Sequence, residues 1–305
     1  MLQVLILGSG SSGNCALVCT GKTRLLIDAG LSAGQIVSRL ASVGVGMDTL
    51  SGILITHEHG DHCRGLAVLL RKHPLPLLCN ALTREVLRDS LPDSRHWNII
   101  PNGSSFEYAG LGIDTFSVPH DAADPMGFVL RHGDSALGIL TDAGHATPVM
   151  RQRLKNLDTL FIEANYDTQL LSNDTKRPWS TKQRISGRHG HLSNEQAAGL
   201  VAELASARLE RVILGHLSRD CNTSDLATGA VRAALQQQSR HDVEIVCAPA
   251  DVPTPWHPVR SRPPTVTGNT SAPVGDDSPP ACLAAANTSA KPDSSPMVWC
   301  QLELL

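Results

Sequence analysis

The sequence predicts a layered α/β fold, and three observations carry that prediction. Short apolar runs separated by glycine-rich turns open the chain and read as strands of one sheet. Through the rest of the first half, and again after residue 147, such runs alternate with stretches whose apolar residues recur at helical spacing. Between these regions, residues 103–141 place one strand-like run after another. The length of 305 residues suits one large domain or two small ones, and a hydrophobic content of 41% supports a substantial core. Aromatic residues make up only 3%, so that core is built mainly from Leu, Val, Ile and Ala.

Taken in order, residues 4–7, 15–19 and 24–28 are strands, and Gly8-Ser9-Gly10-Ser11-Ser12-Gly13-Asn14 links the first two. That loop opens no helix and lacks a Gly-Lys-Ser/Thr ending, so it is not a nucleotide loop. Its backbone N–H groups and hydroxyls could meet a phosphate oxygen, with Ser12 and Asn14 as candidates, or form a plain hairpin turn. Residues 32–43 are helical, with Ile36, Val37, Leu40 and Val43 on one face. Residues 50–56 form a strand, and Asp61 is placed to cap a helix over 62–73 that Pro74 and Pro76 stop. Strand 76–79, helix 81–90 and strand 97–101 follow. Strands at 104–108, 112–118, 127–131 and 136–141 come next, then helix 147–155 and strand 159–164. Helices near 180–187 and 193–206, strand 211–215, helix 224–238 and strand 243–247 complete the domain, assigned to residues 1–248. From 249 to 305 the chain turns to Pro, Ser, Thr, Ala, Gly and Asp, a composition that buries too little apolar surface to offset ordering entropy. The expectation there is a disordered tail.

A net charge of −3 gives no whole-chain basic field, so any nucleic-acid partner must use local patches. The sequence has no basic-then-apolar leader and no apolar run near the ~20 residues of a membrane helix. Eight cysteines without a C-x-x-C pair suit free buried thiols and a reducing, cytoplasmic setting.

Chemistry concentrates in Thr56-His57-Glu58-His59-Gly60-Asp61-His62, directly after the apolar run Ile53-Leu54-Ile55. Imidazole and carboxylate are the usual ligands of zinc and similar divalent ions. His57 and His59 share a face while the chain is extended, and Asp61 and His62 come from the turn opening the next helix, so one segment can serve two adjacent ions. Other strand ends carry His120, Asp142, His216 and Asp28. The assignment is His57, His59 and His120 around one ion, and Asp61, His62 and His216 around the second, with Asp142 bridging. Zinc is the first choice, with manganese or iron as alternatives. Cys63 and His145 lie close in sequence to these ligands, whereas His73, His96, His132, His241 and His257 read as surface residues.

The H-x-H-x-D-H motif, followed by His120, Asp142 and His216, resembles the metallo-β-lactamase superfamily over roughly residues 1–247. That resemblance implies a four-layer αββα sandwich with a two-metal site at one edge. The first loop, Ser117-Val118-Pro119-His120-Asp121-Ala122-Ala123-Asp124-Pro125, Glu163-Ala164-Asn165-Tyr166-Asp167 and Gly190-His191-Leu192-Ser193-Asn194 are similar to the YycJ (WalJ) subgroup of small bacterial enzymes. The subgroup implies a phosphodiesterase or exonuclease acting on DNA. The proline-rich tail falls outside its pattern.

A two-metal site can lower the pKa of a shared, bridging hydroxide and clamp the oxygens of an in-line displacement. Asp61 would orient that hydroxide or take its proton, and His191 would bind phosphate or protonate the leaving oxygen. Ser193 and Asn194 either meet an anion at the start of a helix or merely cap it. Lys176, Arg177, Lys182, Arg184 and Arg188, with Trp179 among them, form a basic stretch suited to a nucleic-acid backbone, or a solvated face. The leading expectation is a dinuclear-metal phosphodiesterase cutting DNA from an end. The alternatives are a thioester or small cyclic phosphodiester hydrolase, and a non-catalytic metal-stabilised nucleic-acid-binding module.

Overall fold

Alternation of side chains along each strand builds the whole architecture. In β1 (Gln3–Gly8), Val4 and Ile6 face one apolar layer while Leu5 and Leu7 face another. Strands apolar on both faces must be covered on both, which is why these runs are continuously hydrophobic. The computed structural model describes residues 1–91 and 97–260. One seven-stranded sheet holds β1, β2 (Cys15–Cys19), β3 (Arg24–Ile27), β4 (Gly52–Leu54), β5 (Leu77–Cys79) and β6 (Trp97–Ile99) side by side. The other holds β7 (Ser105–Tyr108), β8 (Leu111–Ser117), β9 (Met126–His132), β10 (Ser135–Leu140), β11 (Thr159–Glu163), β12 (Arg211–Gly215) and β13 (Glu244–Cys247), again in chain order.

The layer between the sheets contains Val4, Ile6, Val18, Leu25 and Leu54 from the first and Ile113, Phe128, Leu130, Ile139 and Ile213 from the second. On the outer face of the first sheet, Leu5, Leu26 and Ile53 pack with Ile36 and Leu40 of α1 (Ala33–Ser42) and with Leu66, Leu69 and Leu70 of α3 (Leu66–Lys72). On the outer face of the second, Leu160, Ile162, Val212 and Leu214 pack with Val201 of α8 (Asn194–Leu204) and Val231 and Leu235 of α9 (Ser224–Gln237). This is the four-layer αββα sandwich. Ser32 and Ser193 start α1 and α8 with capping boxes, each accepting from the backbone N–H three residues on.

The structure corrects three expectations. The helix foreseen over 62–73 is two, α2 (Gly60–Cys63) and α3, divided at Gly65. There the chain passes so near the loop between β3 and α1 that a Cβ on Gly65 would lie 2.5 Å from the Leu31 carbonyl oxygen. Asp61 caps nothing, because His59 occupies the N-cap position and Asp61 sits inside the first turn. The boundary at 248/249 also moves. Residues 249–260 continue the fold, with a further strand (His257–Pro258) running antiparallel outside β1. Thr254 donates its N–H to the Ile6 carbonyl at 2.9 Å and Val259 donates to Leu2 at 2.9 Å. Thr159 of β11 reaches the Val259 carbonyl at 2.7 Å, so this strap touches both sheets. Val259 and His257, the latter expected at the surface, are both buried. Proline is compatible with such an edge position because the outward N–H has no strand to bond. The rest of the expected tail, 261–305, lies outside the described residues, as does His96.

Truncation before residue 249, compared with truncation after residue 260, is expected to lower stability by at least ~2 kcal/mol, about the value of burying Val259 alone. Urea unfolding of the two shortened chains checks this, and equal midpoints would contradict the strap's role.

Candidate active site

Strand direction gathers the site. Strands β3 and β4 are parallel to each other, as are β10, β11 and β12, so their C-terminal ends fall along one edge. Asp28 follows β3, the 56–62 segment follows β4, Asp142 follows β10, Glu163 ends β11 and His216 follows β12. Strand β8 runs the same way as β10, because each is antiparallel to β9, and it leads to His120. Asp28, Asp142 and His216 all have left-handed backbone, with φ of 60°, 54° and 52°. Non-glycine residues in that region carry strain of about 1–3 kcal/mol each and cluster at functional sites.

Asp142 is the centre. Its Oδ2 lies 2.8 Å from His62 Nε2, and its Oδ1 lies 2.8 Å from His216 Nδ1 and 3.2 Å from His191 Nδ1. The Thr141 hydroxyl donates to Oδ2 at 2.8 Å. Burial opposes the charged carboxylate, but His216 and His62 outweigh it and hold Asp142 well below the usual carboxylate range. Burial likewise works against charge on His216, yet Asp142 and Asp61 raise it to about 9.

Four groups of side chains bring their N and O atoms within 4.8 Å of one another: His57–His59–His120, Asp61–His62–His216, His57–His62–Asp142 and Asp142–Glu163–His191–His216. Both foreseen triads are thus brought together, with Asp142 beside them. His57 Nε2 is buried and has no hydrogen-bond partner. Burial first, then the neighbouring His62, pushes the His57 pKa well down, which favours the neutral imidazole. An orphaned neutral nitrogen among imidazoles and carboxylates fits a divalent cation.

A ring of other residues aims these groups. Asp28, suggested as a ligand, stands behind His62 with its Oδ2 2.7 Å from Nδ1, and accepts from the Thr56 N–H and hydroxyl at 2.8 Å each. It therefore orients an imidazole, as carboxylates behind metal-ligating histidines do. The Ser9 hydroxyl accepts from the His216 N–H at 2.7 Å and donates to Asn14 Oδ1 at 3.0 Å, so the first loop ties the two halves together. Asn14 is buried, bonded to that loop, and 3.2 Å from His62 Nε2. Ser12 contributes its carbonyl to Arg64, Ser193 caps α8, and Asn194 pairs with Asn222. None of these four phosphate candidates lines the cleft. Cys63 donates its thiol to the His57 carbonyl at 3.2 Å, and His145 Nδ1 faces the Arg188 carbonyl, so neither joins the groups.

Glu163 opens the 163–167 motif, and its role comes from tertiary contacts. Its Oε2 lies 3.0 Å from His191 Nδ1, and its Oε1 accepts from the Ala143 and Leu192 N–H groups. The signal was available: Glu163 is a strand-end carboxylate like Asp142. The groups open into a cleft of about 160 Å³ whose floor includes Asp61, His120 and His191 and whose wall includes Thr181 and Arg184 of α7 (Trp179–Ser186). In the basic stretch, Lys176 and Arg177 pair with Asp174 and Asp220, while Arg184 pairs with Asp121.

An αββα sandwich with histidines and carboxylates converging on one sheet edge defines the metallo-β-lactamase class of hydrolases. The Beta-lactamase superfamily domain matches residues 23–217. The chain is 34% identical over 240 residues to an exodeoxyribonuclease YycJ of Bacillus anthracis, covering 78% of this chain and 90% of that one. It is 38% identical over 226 residues to an exodeoxyribonuclease WalJ of Streptococcus pneumoniae serotype 2, covering 73% and 84%. The fold is similar to that of the Bacillus subtilis metallo-β-lactamase fold protein YhfI, with a TM-score of 0.64 at 15% identity over 83% of this chain and 98% of that one. The chain belongs to the metallo-β-lactamase superfamily, among its YycJ/WalJ-like members. It is a metal-dependent hydrolase, and the superfamily implies divalent metal ions that the donor set above fits.

Asp28→Ala removes one hydrogen bond to His62 and two to Thr56 and is expected to destabilise the chelator-treated protein by about 3 kcal/mol at pH 6, measured by urea unfolding. Burial opposes charge on His62, but Asp142 and Asp28 hold its pKa well above 6.5. The contribution is therefore fully present below pH ~6.5 and is lost as pH rises through the folded value. The difference between wild type and variant is accordingly expected to shrink toward alkaline pH; a difference growing with pH would contradict it.

Proposed function

We propose that this protein is an exonuclease that hydrolyses phosphodiester bonds of DNA from an end, acting in the cytoplasm. The observation that carries the proposal is the pair of ligand groups, His57–His59–His120 and Asp61–His62–His216, on either side of Asp142 beneath one narrow cleft. In this reading two divalent ions, zinc first, are held by these residues with Asp142 between them. Bound ions would polarise the phosphodiester and supply an activated water. The chain's own groups do the rest. Asp61, at the cleft floor, orients that water or accepts its proton. His191 has its Nδ1 braced by Glu163 and offers Nε2 to protonate the leaving oxygen. Two relatives at 34% and 38% identity that carry the name exodeoxyribonuclease support DNA as the substrate. The described cysteines are free, which suits a reducing compartment, and no helix among the described residues is long and apolar enough to cross a membrane.

The cleft volume also suits a smaller substrate. About 160 Å³ admits a phosphodiester group more readily than a whole nucleotide, and would also admit a thioester or a small cyclic phosphodiester. Incubation of end-labelled linear DNA with zinc-, manganese- or iron-loaded protein separates the readings. Stepwise release of nucleotides, abolished by a chelator, is expected; turnover of small esters with DNA untouched would favour the rival.

His191→Ala is expected to lower kcat on DNA roughly 10²- to 10⁴-fold with a far smaller change in KM. Metal content measured on the same preparation should stay at the wild-type value. Unchanged kcat would remove His191 from the chemistry.

A further inference from the structure

The cleft floor presents a problem for a polyanion. Asp61, Asp121 and Asp142 all line it, and Arg184 is the one Lys or Arg among the described residues that does. Helix α7 points a single face inward, Thr181, Arg184 and Ile185, at the i, i+3 and i+4 spacing that shares one side of a helix. Of the basic stretch at 176–188, Lys176 and Arg177 are held by Asp174 and Asp220, and the Lys182 ammonium donates to the Ser172 carbonyl. Arg184 differs from them in position and in partner. Its Nε donates to Asp121 Oδ2 at 2.5 Å, and its side chain is 68% exposed.

Asp121 connects that guanidinium to the catalytic groups. Its other carboxylate oxygen lies 3.4 Å from His120 Nε2, and its backbone carbonyl lies 3.2 Å from His59 Nε2. Asp121 is in turn anchored by its N–H, which donates to the His189 carbonyl at 3.0 Å on the segment following α7. The carboxylate thus holds a fork of N–H donors at the mouth, within a few ångströms of the imidazoles, and only one of those donors is used on it. A guanidinium has five donors in a plane and binds phosphate bidentately, so its remaining N–H groups are available to a second anion without giving up the first.

We propose that Arg184, poised by Asp121, grips the phosphate flanking the scissile one and so selects polynucleotides over simple diesters. The inference rests on the phosphodiesterase reading above and sharpens it. The small cleft seats the reacting phosphodiester, and the next phosphate along the chain falls at the mouth, where the α7 face supplies its one cation. Recognition of a phosphate rather than a base edge carries no sequence information, so cleavage is indifferent to sequence.

The test compares wild type, Arg184→Ala and Arg184→Lys on a labelled oligonucleotide and on bis(p-nitrophenyl) phosphate, which lacks a flanking phosphate. Arg184→Ala is expected to raise KM for the oligonucleotide by roughly ten- to a hundredfold and to flatten the salt dependence of kcat/KM by about one in the log–log slope. Turnover of the small diester should fall far less than turnover of the oligonucleotide. Arg184→Lys should restore the salt slope while recovering only part of the affinity, because lysine keeps the charge but not the fork. Equal losses on both substrates would assign Arg184 a structural role and overturn the proposal. So would an oligonucleotide KM unchanged in Arg184→Ala while wild type cleaves DNA. Wild-type protein inactive on DNA would instead refute the exonuclease reading, and this inference with it.

Discussion

A single buried carboxylate, Asp142, holds the site together. Three imidazoles reach it within 3.2 Å, and they arrive from different places: His62 from the first sheet's side, His216 and His191 from the second's. A charge without solvent is tolerable only when its lone pairs are occupied by charged or hydrogen-bonding partners. Asp142 therefore needs both sheets packed at one register, and the catalytic edge cannot form from either half alone. The strained backbone at Asp28, Asp142 and His216 belongs to the same requirement, since each strand must turn its last polar residue sharply into the space between the sheets.

The surrounding structure serves that convergence. Ser9 bridges the first loop to His216, Asn14 lies against His62, and Asp28 locks His62 from behind. Gly30 is needed for the same reason: a Cβ there would collide with the Asp61 carbonyl, because the loop before α1 runs directly over the turn that presents the ligands. The strap at 249–260 is farther away but acts on the same frame, since Thr254 bonds β1 in both directions and the following residues reach β11. Glu163 extends the network outward, setting His191 at the cleft floor through a carboxylate with no exposure to solvent.

What could be read from the sequence was what lies close along the chain or at strand ends. The 57–62 cluster declares itself by spacing, and His120, Asp142 and His216 each follow an apolar run with turn residues nearby. Nearly every strand and most helices were legible for the same reason, because a sandwich apolar on both faces leaves continuous hydrophobic runs. Partners set by tertiary contact were not legible. Ser193 and Asn194 have the composition of anion binders, yet local capping and Asn222 take them up. The short helix α6 (Thr168–Asn173) has almost no apolar stripe and starts because Asp167 accepts from two backbone N–H groups. The strap is rich in proline, and composition cannot reveal that β1 offers it an edge. Asp61 looked like a cap by position, but a contact 3.4 Å away at His216 determines where its carboxylate goes.

Chemistry follows from this arrangement of donors more than from any single residue. Two triads flank one carboxylate, the buried His57 Nε2 sits among them without a hydrogen-bond partner, and the cleft above is narrow and rimmed by one arginine. The measurement that tests this account most directly is a crystal structure of the metal-loaded protein with anomalous scattering recorded at the metal edge. Two peaks are expected, one ringed by His57, His59 and His120 and the other by Asp61, His62 and His216, with Asp142 between them. A single peak, or a metal bound away from these residues, would contradict the account.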